Sequence, residues 1–497
     1  MKTISSDPQK LSFVVFLCVL FLALSAGFAT AQRISYEALK VQERIPTAYF
    51  DYNIIPPSSP GEDPQLVISF KLGHDFLNFR RDSDNDDGRR FYSDVEIGVD
   101  IFGVEDQERS SQEREELYTD RIQETQSARR AERRRSRRSD EERESVGREF
   151  WNGTAYAATY EQTQSSNQHL EGYIVKSLPP GSYEINSRFS SDQRTRNTLP
   201  KRITIPDFDE NGDTQIYFLD EDESIDLPVT SPLINMGRNV FFGKDFNALI
   251  LVPDYDEQAE YRLQLKKIGP EQDDTSSVTV YDEALSDSDI YKGVDVHLTG
   301  SNDEAVKLSL SQDEETPYTF ASIKVPNSRF ENAHYRMEIW QNGSNGENER
   351  LGNRTFLNRW VDIPTSLLNL DVAINMMQFI LDDEALSRME DGNQRQREEK
   401  FREFWNERNP TPETEYNELM VEYFRRIDYA FENYTSPREA GYESDMGKIY
   451  IQNGEPDNVT RRFPSNEPAV VIWEYGPRIF RFEATSGFGD YELKETR

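Results

Sequence analysis

The chemistry that this chain could offer lies in its carboxylates. Asp445, Asp457 and Asp490 stand among glycines, prolines and aromatics near the C-terminus. Brought together, they would bind a cation or divide the roles of acid and base. Held apart, each would brace a turn through side-chain to backbone hydrogen bonds, the more common use of Asp beside Gly and Pro. A second acidic run, Asp207-Phe208-Asp209-Glu210-Asn211-Gly212-Asp213, has oxygen donors at alternate positions and Gly at the sharp turn, like the first half of a calcium loop. Asp207, Asp209 and Asn211 would be its ligands. Phe218 stands where a bidentate Glu is required, so a plain acidic turn explains the run as well. Asp82-Ser83-Asp84-Asn85-Asp86-Asp87-Gly88 has its Gly one place late for the same loop.

Other chemistries find less footing. There is no Gly-x-Ser-x-Gly elbow, no Gly-x-x-x-x-Gly-Lys phosphate loop and no His-Glu-x-x-His helix. His74, His169, His297 and His334 are scattered without ligand spacing. With 57 basic against 91 acidic residues and a formal charge of -34, the chain would be repelled by phosphates, which argues against a nucleic-acid partner.

These groups must be held by 497 residues, more than one core can serve. The first 31 read as a secretory signal peptide: Lys2 and Lys10, an apolar run from Leu11 to Leu24, then Ala29-Thr30-Ala31, with cleavage expected after Ala31. The run is shorter than the roughly 20 apolar residues of a membrane anchor. The single cysteine, Cys18, lies inside it after Leu17, where lipid attachment would need a small residue. No later stretch is apolar enough to span a bilayer, and the expected mature chain has no disulfide to hold it.

From 32 to 221 the signals are those of strands. Phe91 to Ile101 alternates with a period of two, Leu66 to Leu72 is a second strand, and Leu178-Pro179-Pro180-Gly181 makes a turn between Tyr173-Ile174-Val175 and a run from Tyr183 to Phe189. Residues 104–149 interrupt this domain with charge, including Arg133-Arg134-Arg135-Ser136-Arg137-Arg138, and read as a solvated insertion. A second set of short strands fills 222–363. After Pro364 the period becomes helical, clearest from Tyr416 through Phe424 to Phe431, with Thr411 expected as N-cap and Pro412 as first helical residue. From Gly447 strands are expected again, at Lys448–Gln452, Val470–Tyr475, Ile479–Glu483 and Tyr491–Leu493.

Residues 405 to 493 resemble the GWxTD domain family of exported proteins in bacteria related to Bacteroidetes. Phe404-Trp405-Asn406-Glu407-Arg408-Asn409-Pro410-Thr411-Pro412 is similar to the family's Phe-Trp-x-x-Arg-Asp-Pro-Thr-Pro. Gly441-Tyr442-Glu443-Ser444-Asp445 stands where the name-giving motif belongs, with Tyr442 for Trp and Ser444 for Thr. Gly447-Lys448-Ile449-Tyr450-Ile451, then Gly454-Glu455-Pro456-Asp457, Trp473-Glu474-Tyr475 and Gly487-Phe488-Gly489-Asp490-Tyr491 follow in the family's order. The resemblance implies a compartment outside the cytoplasm and no particular reaction.

The expectation is therefore two antiparallel, Ig-like β-sandwich domains (32–221 and 222–363) followed by an α+β domain (364–497). Its motif residues, Gly441, Tyr442, Ser444, Asp445, Gly454, Pro456, Asp457, Trp473, Gly489, Asp490 and Tyr491, are read as structural. The expected function is that of a non-catalytic, exported envelope or secreted protein that meets an envelope protein or glycan, needing no cofactor unless calcium fills the first acidic loop. The alternatives are a hydrolase using the C-terminal carboxylates and a carbohydrate-binding adhesive protein using the sandwich loops.

Overall fold

The computed structural model describes Tyr36, Leu39 and residues 48–496, except 60, 83–89, 105–144, 166, 192–193, 199, 209–212, 221–224, 226, 270–276, 314, 344–347, 464–466 and 486–489. The expected signal peptide, most of the charged insertion, Asp209, Asn211 and Gly489 lie outside the described residues. The chain is mostly β-sheet, with helices in its C-terminal region. Its described residues form two compact units: those within 45–360, and those from 361 onward together with Tyr36 and Leu39.

In the larger unit, strand Phe91–Gly103 turns Val95, Ile97, Val99 and Ile101 inward and Asp94 and Glu96 outward, as its period-two pattern requires. It pairs antiparallel with Ser145–Ala157 on one side and Gly181–Ser191 on the other, within a six-stranded sheet. The strand Ser145–Ala157 takes in residues 145–149, which the sequence places in the charged insertion. Arg148 on its exposed face and the partly buried Glu149 are the charges of an edge strand, where they discourage pairing with foreign strands.

Facing this sheet is a three-stranded one, ordered Ala48–Ile55, Gln65–Gly73, His169–Ser177. Its central strand is buried on both faces. Leu66, Ile68, Phe70 and Leu72 join the core shared with the six-stranded sheet. Val67, with Ile55 and Tyr173, joins a second core with Tyr217, Leu249, Val296 and Leu308. The Pro-Pro-Gly turn closes no hairpin: His169–Ser177 lies in the three-stranded sheet and Gly181–Ser191 in the six-stranded one, so the turn carries the chain across the sandwich.

Strand Ile216–Leu219 pairs with Phe246–Val252, in a four-stranded sheet with Thr319–Val325 and Ile290–Lys292. Asp51, on the far side of strand Ala48–Ile55, accepts hydrogen bonds from the backbone N–H groups of Gly237 (2.8 Å) and Arg238. That carboxylate holds a turn whose two residues both have positive φ, 63° and 67°. A five-stranded sheet built on Glu260–Lys267, His334–Asn342 and Asn348–Arg359 covers the other face of the four-stranded one, with Phe356 packed 5.2 Å from Phe218.

The smaller unit contains five described α-helices: α1 (Leu370–Met376), α2 (Asp383–Glu390), α3 (Gln394–Asn406), α4 (Glu418–Tyr434) and α5 (Asp445–Asn453). A four-stranded sheet in sequence order follows: Asn458–Arg462, Val470–Tyr475, Arg478–Ala484 and Tyr491–Thr496. Helix α4 is capped by Asn417, whose side chain accepts from Met420 N–H, not by Thr411. Thr411 instead donates its hydroxyl to Glu418 (2.6 Å), which leaves Pro412 in the preceding turn. The strand expected at Lys448–Gln452 is helix α5: Ile449-Tyr450-Ile451 has a strand's composition, but the Ser444 cap and Gly454 beyond the C-terminus mark a helix.

Tyr36, which the sequence assigns to the first sandwich, is buried in this smaller unit. Its ring lies 4.1 Å from that of Phe431, and its hydroxyl donates to Asp428 (2.8 Å) on α4. The same carboxylate accepts from the N–H groups of Thr365 (2.6 Å) and Ser366 (3.1 Å). Burial pushes the Asp428 carboxyl up, against the pull of its hydrogen bonds from Ser366, Tyr36 and Thr365.

Tyr36→Ala should destabilise the smaller unit by about 3 kcal/mol, through a cavity and a carboxylate that loses one of its donors. Hydrogen exchange would then quicken at the α4 amides and stay unchanged in Gln65–Gly73. In the larger unit, His74 Nδ1–H donates to the Gln162 carbonyl (3.0 Å), and burial pushes the imidazole below its ordinary value. Unfolded histidine takes its proton near pH 6.5, while the folded one does so only at lower pH. The unfolded state therefore binds more protons as pH falls through about 6.5, and stability drops until His74 itself titrates. Calorimetry from about pH 7.5 to about pH 5 should show a shallower decline in His74→Gln.

Candidate functional site

The motif that resembles the GWxTD pattern lies where α4, α5 and the C-terminal sheet meet. Gly441 comes so close to α4 that a Cβ on it would sit 1.9 Å from the Ala430 carbonyl oxygen. Gly447, on α5, is as tightly placed: its Cβ would sit 1.8 Å from the Gly441 carbonyl oxygen. Between them Tyr442 is fully buried, stacked on Phe431 at 6.0 Å and edge-on to Phe379 at 6.4 Å. Tyr442 thus fills an aromatic-lined place at the position where the resembled pattern has Trp.

Ser444 is the N-cap of α5. Its hydroxyl accepts from Gly447 N–H (3.0 Å) and donates to the Gly441 carbonyl (2.7 Å). Asp445, in the first turn, accepts Leu493 N–H (2.8 Å) and so ties the helix to the last strand of the sheet. Gly454 ends α5 with φ 81° and receives the Tyr475 hydroxyl at its carbonyl (2.8 Å). Asp457 follows Pro456 and accepts Gly476 N–H (2.6 Å), bracing the tight Gly476-Pro477 hairpin between two strands. Trp473 packs between Tyr434 at 5.5 Å and Phe482 at 4.9 Å, and Tyr491 lies beside the same small core.

The three aspartates do not converge. Nine residues of helix α5, about 13 Å at 1.5 Å per residue, separate the Asp445 end from the Asp457 end. Asp445 and Asp490 do approach a common neighbour, Glu439. Burial pushes the Glu439 carboxyl up; Lys448 opposes this, while Asp445, Asp490 and Glu443 add to it. Asp490 is itself buried and lies 3.5 Å from Arg438. Glu439 belongs to no periodic run or motif, so only the meeting of the motif with strand Tyr491–Thr496 reveals it. Of the candidate calcium ligands Asp207 is exposed. Among the described residues no group of three or more His, Cys, Asp or Glu is placed to hold a metal ion.

A β-rich chain that ends in a helix-then-meander domain is the class that fold and site define. Residues 364–491 match the family model of the GWxTD domain, so this stretch of the chain is a GWxTD domain. No curated protein matches it. Among solved structures it is similar to the C-terminal domain of the Streptococcus pyogenes antigen I/II-family protein AspA, at 9% identity, covering 63% of this chain and 99% of that chain, with a TM-score of 0.15. It is also similar to the collagen adhesin of S. aureus, at 9% identity over 63% of this chain and 93% of that one, with a TM-score of 0.16. At such scores neither likeness bears on function.

Ser444→Ala removes a helix cap and should cost about 1 kcal/mol, a few degrees in the thermal transition of this unit. Gly441→Ala drives a methyl into a backbone carbonyl and should cost roughly 3 kcal/mol or more. Equal transitions for the two variants in calorimetry would contradict the close approach.

Proposed function

We propose that the protein acts outside the cytoplasm as a non-catalytic component of the cell envelope or secreted space, presenting its β-sandwich surfaces to a partner protein or glycan. The observation that carries this reading is the use of the motif's polar groups. The Ser444 hydroxyl and the Asp445 and Asp457 carboxylates each bond backbone groups of the same domain, which orders a helix end, an edge strand and a hairpin. Groups so engaged position the fold. The signal-like residues 1–31 support export, and among the described residues no helix is long and apolar enough to cross a membrane.

A hydrolase is the second reading, favoured by the raised Glu439 carboxyl between Asp445 and Asp490. Glu439→Gln separates the two, because it keeps shape and removes the acid. In a deletion strain with an envelope phenotype such as detergent sensitivity, the interaction reading expects this variant to complement as fully as the unaltered chain. Lost complementation at unchanged abundance and melting temperature would make Glu439 a working acid and sink the proposal.

A further inference from the structure

The six-stranded sheet of the larger unit has an outer face with the composition of a binding site. Cross-strand register sets out its rows: Tyr156 opposite Tyr92, Thr154 opposite Asp94, Asn152 opposite Glu96, and Phe150 opposite Gly98. On the other side of the central strand Glu96 faces Ser190. A shallow cavity of about 480 Å³ opens over the two middle rows, lined by Arg80, Asp94, Glu96, Asn152, Thr154 and Ser190. Part of this floor is held in place: Asp94 accepts the Thr154 hydroxyl (2.9 Å) and lies 3.6 Å from Arg80, which also sits over the Tyr92 ring at 5.3 Å.

Two aromatic rings flank the floor on one strand and on one face. Phe150 is 54% exposed and Tyr156 46%. Six residues of antiparallel strand put them about 20 Å apart. Phe150 is seated over Gly98, where an added Cβ would meet its ring at 3.2 Å, so the absence of a side chain at 98 gives the ring its place. A half-exposed phenylalanine on an otherwise polar sheet face offers a ring that a ligand can stack against.

The occupant follows from the chemistry. Backbone N–H and C=O groups point within the plane of a sheet, so a ligand lying on this face meets side chains and not the free ladder at the edge of Ser145–Ala157. Asp94 and Glu96, in a chain of formal charge -34, repel polyanions. Asp94 is tied to Arg80 and Thr154, which leaves it poorly placed as a ligand for a free cation. Alternating acceptors and donors between two exposed rings suit a neutral, polyhydroxylated chain, whose hydroxyl rims bond the floor and whose C–H faces lie on the aromatics. We infer that the outer face of this sheet, between Tyr156 and Phe150, binds a neutral polysaccharide. The inference rests on the interaction reading and names a partner class for it.

Affinity electrophoresis of chain 32–497 in native gels cast with mixed-linkage β-glucan, xyloglucan, galactomannan or starch tests it, with alginate as the polyanion. At least one neutral gel should retard the protein. Phe150→Ala and Tyr156→Ala should each weaken that retardation about tenfold, the scale of a lost aromatic anchor, while the cooperative thermal transition is kept and falls by no more than about a few degrees, most for Phe150→Ala, whose ring packs on Gly98. Phe463→Ala, which removes an exposed ring of the other unit, should leave it unaltered. No retardation in any neutral gel, retardation by alginate alone, or retardation that survives Phe150→Ala combined with Tyr156→Ala would overturn the inference. Any of these results leaves the Glu439→Gln complementation outcome untouched, so the wider reading stands or falls separately.

Discussion

Strand Gln65–Gly73 has no solvent face, and the layering of the larger unit follows from that. Leu66, Ile68, Phe70 and Leu72 point into one core while Val67 points into the next. A chain whose only cysteine lies in the expected signal peptide must cohere through apolar burial, and a strand shared by two cores couples them without any covalent link. The neighbouring strand shows the electrostatic cost of this arrangement. Asp51 falls on the inward face, where burial pushes its carboxyl up, and the nearby Arg354 with the N–H groups of Arg238 and Gly237 offset part of that cost. A carboxylate in such a place is tolerated because it orders a left-handed turn that no apolar side chain could hold.

The smaller unit depends on a different constraint, the approach of backbone to backbone. Gly441 against Ala430, and Gly447 against Gly441, bring α4, the motif and α5 closer than any side chain would allow. The same closeness explains why the surrounding polar groups bond main chain. A hydroxyl or carboxylate beside a helix end or an edge strand meets unpaired N–H groups first. Chemical roles and architectural roles compete for these residues, and the Ser444 hydroxyl and the Asp445 and Asp457 carboxylates bond backbone groups. Glu439 differs, because its carboxyl is raised by burial and by like charges nearby.

Several misreadings share a cause. Lys448–Gln452 has the apolar, β-branched composition of a strand, and only its flanks, Ser444 and Gly454, mark it as helix. Residues 145–149 carry the charges of a solvated loop because they open an edge strand. Composition reports how exposed a segment is, and exposure alone does not distinguish a loop from an edge. Tyr36 had no readable signal, because its partner Asp428 lies 392 positions along the chain.

The sequence by itself determined the period-two strands such as Phe91–Gly103, the amphipathic helix through Phe424 and the order of the motif pieces, because each is written in neighbouring residues through backbone periodicity and local turn chemistry. Tertiary structure decided which strands share a core, which end of the chain completes the C-terminal domain, where Asp445, Asp457 and Asp490 go, and which outward side chains line up between Phe150 and Tyr156. Those depend on contacts between distant segments, and a linear pattern carries the tendency to form a strand or helix but not the identity of the surface against which it will pack.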